Sequence, residues 1–308
     1  MNQVAHSVPN PTTSAKLAII GGSDAHIVLP SLGLRSSRMG KVQTPFGISS
    51  PLHHIYTEDS EILFLARHGD RGYELAAPFV NYRANIWALK EYGVERIVAW
   101  SGPGAIDPSF APGSIVLPDD LLDETRRGAY TFYEGTGLGF IRQFPVFCPE
   151  LRSALLKAGK GCYDGGVYVC TEGPRLETPA EIRKFALYGG QLVGMTLAPE
   201  CFLARELEIC YAPICYISNY AEGVLPREYR PGECFEGLLN SKEKVKVDEA
   251  VREVAGLAVA ALGAVRELPR ECACARSMER YRRSGRIGDD WHTWVGESEF
   301  RIPDSGLG

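Results

Sequence analysis

The sequence predicts an α/β fold built on a buried sheet. Short, nearly continuous apolar runs recur along the chain, as in LAII (17–20), ILFLA (62–66) and RIVAW (96–100). Segments with helical apolar spacing alternate with them, such as VNYRANIWALKEYG (80–93). Of the 308 residues, 45% are hydrophobic and 23% charged, which is enough apolar material for a substantial core. Uninterrupted apolar strands belong to sheets buried on both faces, and strand–helix alternation supplies the helices that bury them.

LAII gives the first strand and ends in Gly21-Gly22. ILFLA gives the next. The helix over 80–93 draws its apolar positions from Val80, Ala84, Ile86, Trp87, Ala88 and Leu89, and Gly93 stops it. RIVAW, SIVLP (114–118), VYVC (167–170), QLVGM (191–195) and CYAPICYIS (210–218) continue the strands. Helices are expected at 149–159, 178–187, 197–208 and 246–266. Residues 1–15 read as a flexible polar tail and 16–268 as a single domain. Residues 269–308 change to a charged composition and read as a C-terminal appendage, packed on the surface or on a neighbour, with a frayed end.

The formal net charge of −5 gives no basic surface for nucleic acid. No run of 18 apolar residues is present, so no membrane span is expected, and the N-terminus lacks the apolar core of a signal peptide. Nine cysteines, an odd number with several inside apolar runs, fit reduced thiols in a cytoplasmic protein. Cys272 and Cys274 form a lone Cys-x-Cys. With no second Cys/His pair at metal spacing, no metal site is expected there, and a disulfide between them would be strained.

In open α/β sheets ligands bind beyond strand ends, so the polar residues there are the candidates. GGSD (21–24) follows the first strand, Arg67 and His68 the second, and SGPG (101–104) follows RIVAW. Met195-Thr196 follows QLVG, and Asn219 follows CYIS. Each has an ordinary structural reading: a strand-end Ser or Thr caps a helix, an Arg makes an ion pair, and glycine marks a turn. Together Ser23, Arg67, Ser101 and Thr196 supply one positive charge and three hydroxyls, a donor set suited to phosphate.

The stretches LAIIGGS, LARHG, VNYRANIWALKEYG, TEGPRLETPAEI (171–182) and LVGMTLAPECFLARELEICYA (192–212) resemble the trimeric purine nucleoside phosphorylases, in the methylthioadenosine/methylthioinosine phosphorylase branch. The resemblance spans roughly residues 16–265. It implies a central, distorted mixed β-sheet flanked by helices and a homotrimer. It also implies phosphorolysis without cofactor, in which a purine nucleoside and inorganic phosphate give free base and a ribose 1-phosphate. By the same resemblance, Ser23, Arg67, His68, Ser101 and Thr196 would hold phosphate. Met195 would lie under the ribose, and Gly102, Leu176, Glu177 and Asn219 would meet the nucleoside. Asn219, Glu177 and His68 would carry the catalytic hydrogen bonds. Phe140 falls near the position from which a neighbouring subunit reaches the sugar's 5′ end.

Glu177 and Asn219 also bear on which purine is read. A 6-oxopurine offers an N1–H donor to a carboxylate and an O6 acceptor to an amide, and a 6-amino group reverses that pattern. GPRLET (173–178) and ISNYAEG (217–223), with Ala221 in place of a second aspartate, therefore point to hypoxanthine or guanine. The alternative for Glu177 is a local role at a helix start. Departures from the family pattern are Asp24 after Ser23, Asp70-Arg71-Gly72 after RHG, Pro103, and the absence of histidine from 140–148. The segment 224–245 is longer than usual and should border the 5′ pocket. The 5′ substituent is left open, as are a 5′-methylthioadenosine phosphorylase and a non-catalytic nucleoside-binding paralogue.

Overall fold

The computed structural model describes residues 16–22, 24–126 and 128–295. The tail 1–15 and the chain end 296–308 lie outside the described residues. Among the described residues the strands run in chain order: β1 Leu17–Gly21, β2 Arg35–Gly40, β3 Gln43–Thr44, β4 Gly47–Ile48, β5 Leu52–Tyr56, β6 Glu61–Ala66, β7 Arg96–Ser101, β8 Gly104–Ala105, β9 Ile115–Leu117, β10 Asp120–Glu124, β11 Tyr163–Asp164, β12 Val167–Thr171, β13 Leu192–Gly194, β14 Cys210–Tyr216 and β15 Asn219–Tyr220. The α-helices among the same residues are α1 Ala25–Ser31, α2 Tyr82–Glu91, α3 Pro149–Ala158, α4 Pro179–Leu187, α5 Leu197–Glu206, α6 Ser241–Val265 and α7 Glu279–Arg283.

An eight-stranded mixed sheet has the order β11-β9-β14-β7-β1-β6-β5-β2, and a five-stranded one the order β10-β12-β13-β8-β15. Its centre is parallel: β1 pairs in register with both β6 and β7, and β7 with β14. These are the apolar runs of the sequence, and they are buried from end to end apart from the first residue of β6. The chain passes from one sheet to the other at Gly102-Pro103, between β7 and β8, and again between β14 and β15. The strand ends beyond Ala66, Ser101, Gly194 and Tyr216 thereby face the junction of the two sheets.

The edge strands were not anticipated. β2 (RSSRMG) is exposed or half-exposed and carries no apolar alternation, so it forms only because β5 offers it a partner. Helix α6 begins at Ser241, earlier than the apolar stripe suggests. Asn240 accepts from the backbone N–H of Lys242 and Glu243, and the Glu243 carboxylate accepts from the Asn240 N–H, a capping box that nucleates a polar first turn.

Residues 269–295 pack against the chain's own core. Met278, Tyr281, Ile287 and Trp294 are buried there, and Arg282 forks onto Glu208 with contacts of 2.8 and 2.5 Å. The sequence expectation that Cys272 and Cys274 stand apart from other potential ligands is corrected. The fold carries Cys148 and Cys210 to them from 124 and 62 residues away. Spacing along the chain is blind to partners delivered by other elements.

Arg282→Ala removes a charge-assisted fork from a carboxylate that is nearly buried. It is expected to cost about 2 kcal/mol and to raise amide hydrogen exchange across residues 273–295. Unchanged exchange there would show that apolar contacts alone hold the segment.

Candidate active site

Burying Arg67 at the end of an apolar strand requires a partner, and the fold supplies one. Its Nη1 donates to both carboxylate oxygens of Glu200, at 2.9 and 3.0 Å, and Nη2 donates to the Trp100 carbonyl at 2.7 Å. The Tyr211 hydroxyl donates to the same carboxylate at 2.7 Å. Burial is the largest single influence and disfavours the guanidinium charge, but Glu200 together with Tyr211, Tyr82 and Tyr168 outweighs it, and the pKa of Arg67 is raised. Nε–H of Arg67 has no hydrogen-bond partner among the described residues.

A cavity of about 380 Å³ opens where the strand ends meet. Arg67, His68, Ser101, Gly102, Leu176, Glu177, Met195, Thr196 and Asn219 all line it. Residues as far apart in the chain as Arg67 and Asn219 thus share one surface. Ser23 lies outside the described residues. Phe140 is 78% exposed and does not line this cavity; its backbone N–H donates to the Tyr281 hydroxyl at 2.8 Å.

One part of the lining is a cluster of hydroxyls. Ser101 Oγ, at the last position of β7, lies 3.0 Å from the Tyr168 hydroxyl and 3.3 Å from Thr196 Oγ1. Thr196 is the N-cap of α5, yet its side chain makes no capping bond. The ordinary role for a threonine there is not the one it fills. Tyr168 is wholly buried, and burial holds its hydroxyl in the protonated, donating form well above the usual phenol range. His68 Nδ1 lies 2.8 Å from the Leu75 carbonyl, so Nδ1 carries a proton and donates.

Another part pairs a carboxylate with an amide. Glu177 accepts from the Thr171 hydroxyl at 2.5 Å. Burial pushes the Glu177 carboxyl up, and the Thr171 bond only partly counters it. The local capping role for Glu177 is excluded. Helix α4 is capped by a box in which Thr178 and Glu181 satisfy each other's backbone N–H groups. Asn219 is oriented by Nδ2 donating to the Tyr220 carbonyl at 2.8 Å and by Ser218 Oγ at 2.6 Å from Oδ1.

Two glycines are required by close approach. A Cβ at Gly102 would lie 2.6 Å from the Tyr216 ring, and one at Gly173 would lie 2.5 Å from the Met195 sulfur. Gly173 also has φ of 70°, a left-handed conformation that disfavours other residues. The Tyr216 hydroxyl in turn donates to Asp24, which occupies the carboxylate that stood beside the phosphate candidates in the sequence. Asp70 is likewise engaged, by Arg38 Nε and His53 Nε2 at 2.7 Å each.

Sequence reading did not find Glu200, Tyr168, Tyr73, Phe235 or Leu238. A glutamate in the apolar stretch LAPECFLARE was a usable signal, since a buried carboxylate demands a partner. Cys234, Phe235 and Leu238 come from the segment 224–245 and line the cavity.

The profile of the phosphorylase superfamily matches residues 16–263, and the chain belongs to that family. The probable S-methyl-5′-thioinosine phosphorylase of Methanothermobacter thermautotrophicus is 43% identical over 240 residues, 77% of this chain and 84% of that protein. The 6-oxopurine nucleoside phosphorylase of Pyrococcus furiosus is 40% identical over 241 residues, 75% of this chain and 89% of that one. Among solved structures, a methylthioadenosine phosphorylase from an antarctic soil metagenomic library superposes with a TM-score of 0.73 at 29% identity, covering 86% of this chain and 91% of the other.

Arg67→Ala leaves Glu200 as a buried, uncompensated charge and is expected to cost about 3–5 kcal/mol in stability. Replacing both residues by methionine recovers most of that loss, because no charge is left behind. Urea unfolding of the two variants compares them. Equal destabilisation of both would show that the pair is not the source of the effect.

Proposed function

We propose that this chain is a purine nucleoside phosphorylase that cleaves the N-glycosidic bond of 6-oxopurine nucleosides, with inorganic phosphate as co-substrate and no cofactor. The observation that carries the reading is the presence of Glu177 and Asn219 in the same cavity as Ser101, Thr196 and Arg67. Relatives named 6-oxopurine nucleoside phosphorylase and S-methyl-5′-thioinosine phosphorylase, at 40–43% identity, support it.

Phosphate sits beneath C1′ of the sugar, accepting from the Ser101 and Thr196 hydroxyls, while Nε2 of His68, the ring nitrogen left as an acceptor, meets a phosphate P–OH. The unpartnered Nε–H of Arg67 supplies the charged donor. Fixed donors cost no reorganisation as the C–N bond breaks and positive charge develops on the ribose. A phosphate oxygen then bonds to C1′, and the purine departs with the bonding pair. Glu177 accepts from the base N1–H, and the Asn219 amide donates to the purine as negative charge develops on it. Met195 and Leu176 pack against ribose and base. A base of the wrong hydrogen-bond pattern leaves both groups buried and unpaired, which can separate substrates by orders of magnitude.

The wall formed by Phe235 and Leu238 favours a methylthio over a hydroxyl group at the 5′ position. The reading includes a cytoplasmic homotrimer, in which exposed Phe140 of one copy approaches the cavity of the next.

A phosphorolysis assay that measures base released from inosine, methylthioinosine and adenosine tests the reading. Asn219→Asp shifts preference toward the 6-aminopurine, and an unchanged preference would count against the base assignment. Turnover of 6-oxopurines declines as pH falls through the raised pKa of Glu177, because the protonated carboxyl no longer accepts from N1–H. Thr171→Val removes the hydrogen bond that favours the ionised form, so the acid limb moves to higher pH. An acid limb that stays in place would separate it from Glu177.

A further inference from the structure

Four buried or half-buried cysteines meet at the opposite end of β14 from the cavity. Cys148 is the N-cap of α3, Cys210 opens β14, and Cys272 is the N-cap of the 3-10 turn Ala273–Arg276, which contains Cys274. Their four sulfurs all lie within 4.8 Å of one another. Cys272 Sγ is 3.7 Å from Cys148 Sγ and 3.4 Å from Cys210 Sγ. All four are free thiols.

A tetrahedral zinc–thiolate site with bonds of about 2.3 Å has sulfur–sulfur edges of roughly 3.8 Å. A disulfide would bring two sulfurs to about 2.05 Å. Separations of 3.7 and 3.4 Å, with all four sulfurs within 4.8 Å, are of the size of that edge and well beyond a disulfide bond. We propose that Cys148, Cys210, Cys272 and Cys274 form a closed, structural thiolate site for a zinc ion, which fastens the C-terminal segment to the sheet. A set of four soft sulfur ligands selects zinc over hard cations, and four protein ligands leave no position for substrate.

The backbone around the site is held independently of any metal. The Cys148 N–H donates to the Tyr211 carbonyl at 2.8 Å, which places it beside Cys210. The Cys272 N–H donates to Glu150 Oε1 at 2.5 Å. Arg96, the register partner of Cys210, donates to the Leu268 carbonyl at 2.6 Å just ahead of the segment. Binding releases four thiol protons to solvent and leaves two net negative charges on the zinc–sulfur unit. The N-terminus of α3, ten residues long and begun by Cys148, lies against that charge with the favourable sign.

The test is metal analysis of the full chain, purified under reducing conditions without chelator. One zinc per chain is expected, and cobalt exchanged into the protein should give thiolate charge-transfer and tetrahedral absorption bands. Cys272→Ser and Cys274→Ser should lose the metal and melt at lower temperature, with turnover of nucleoside retained. Should those variants fail to fold, the stoichiometry and cobalt spectrum of the unmodified chain decide alone. Protein without metal, whether it shows four free thiols or disulfides by intact mass, would overturn the proposal. So would zinc that persists undiminished in Cys272→Ser. The outcome does not depend on whether the cavity is a phosphorylase site.

Discussion

The ion pair between Arg67 and Glu200 is the constraint on which the rest of the site depends. Both side chains are fully buried, in surroundings where an unpaired charge is very costly. The pair joins the end of β6 to α5, while Trp100 brings in β7 and Tyr211 brings in β14. Ser101 directly follows Trp100, and Thr196 lies at the start of the helix that carries Glu200. Fixing one guanidinium therefore fixes the two hydroxyls that face the cavity. The Arg67 N–H adds β1 to the same assembly by donating to the Gly21 carbonyl at 3.2 Å.

This arrangement changes how the cation serves an anionic ligand. Two of its three nitrogens are committed to the fold, so Arg67 is a structural cation whose Nε is the nitrogen left without a partner among the described residues. An anion at the cavity would meet a preorganised set of hydroxyls backed by a charge pair, and the positive charge cannot swing away. Preorganisation of this kind suits a reaction in which charge develops briefly and no protein nucleophile is needed. Glu177 and Asn219 are likewise locked by neighbours, Thr171 in one case and Tyr220 with Ser218 in the other. Their donor and acceptor atoms are held ready for one hydrogen-bond pattern.

The central strands and the strand-end polar residues were legible in the sequence because parallel strands buried on both faces are written as plain apolar runs. The edge strand β2 was not, since its polar residues form a strand only by pairing with β5. Long-range partners were the other blind spot. Arg67 announces that it needs a counter-charge, but nothing local names Glu200, 133 residues away. The thiol quartet is hidden for the same reason: only Cys272 and Cys274 are neighbours in the chain. Helix α4 is the converse case. Sequence left Glu177 divided between a local role and a ligand contact; the completed Thr178–Glu181 box removes the cap, and Glu177 pairs with Thr171 at the cavity lining.

The central claim is that one cavity holds phosphate at its hydroxyls and a 6-oxopurine at its carboxylate–amide pair. A crystal structure of the protein with hypoxanthine and phosphate tests it most directly. The account predicts phosphate oxygens within hydrogen-bond distance of the Ser101 and Thr196 hydroxyls, and base N1 against the Glu177 carboxylate. Phosphate bound elsewhere, or a base seated with N1 away from Glu177, would contradict it.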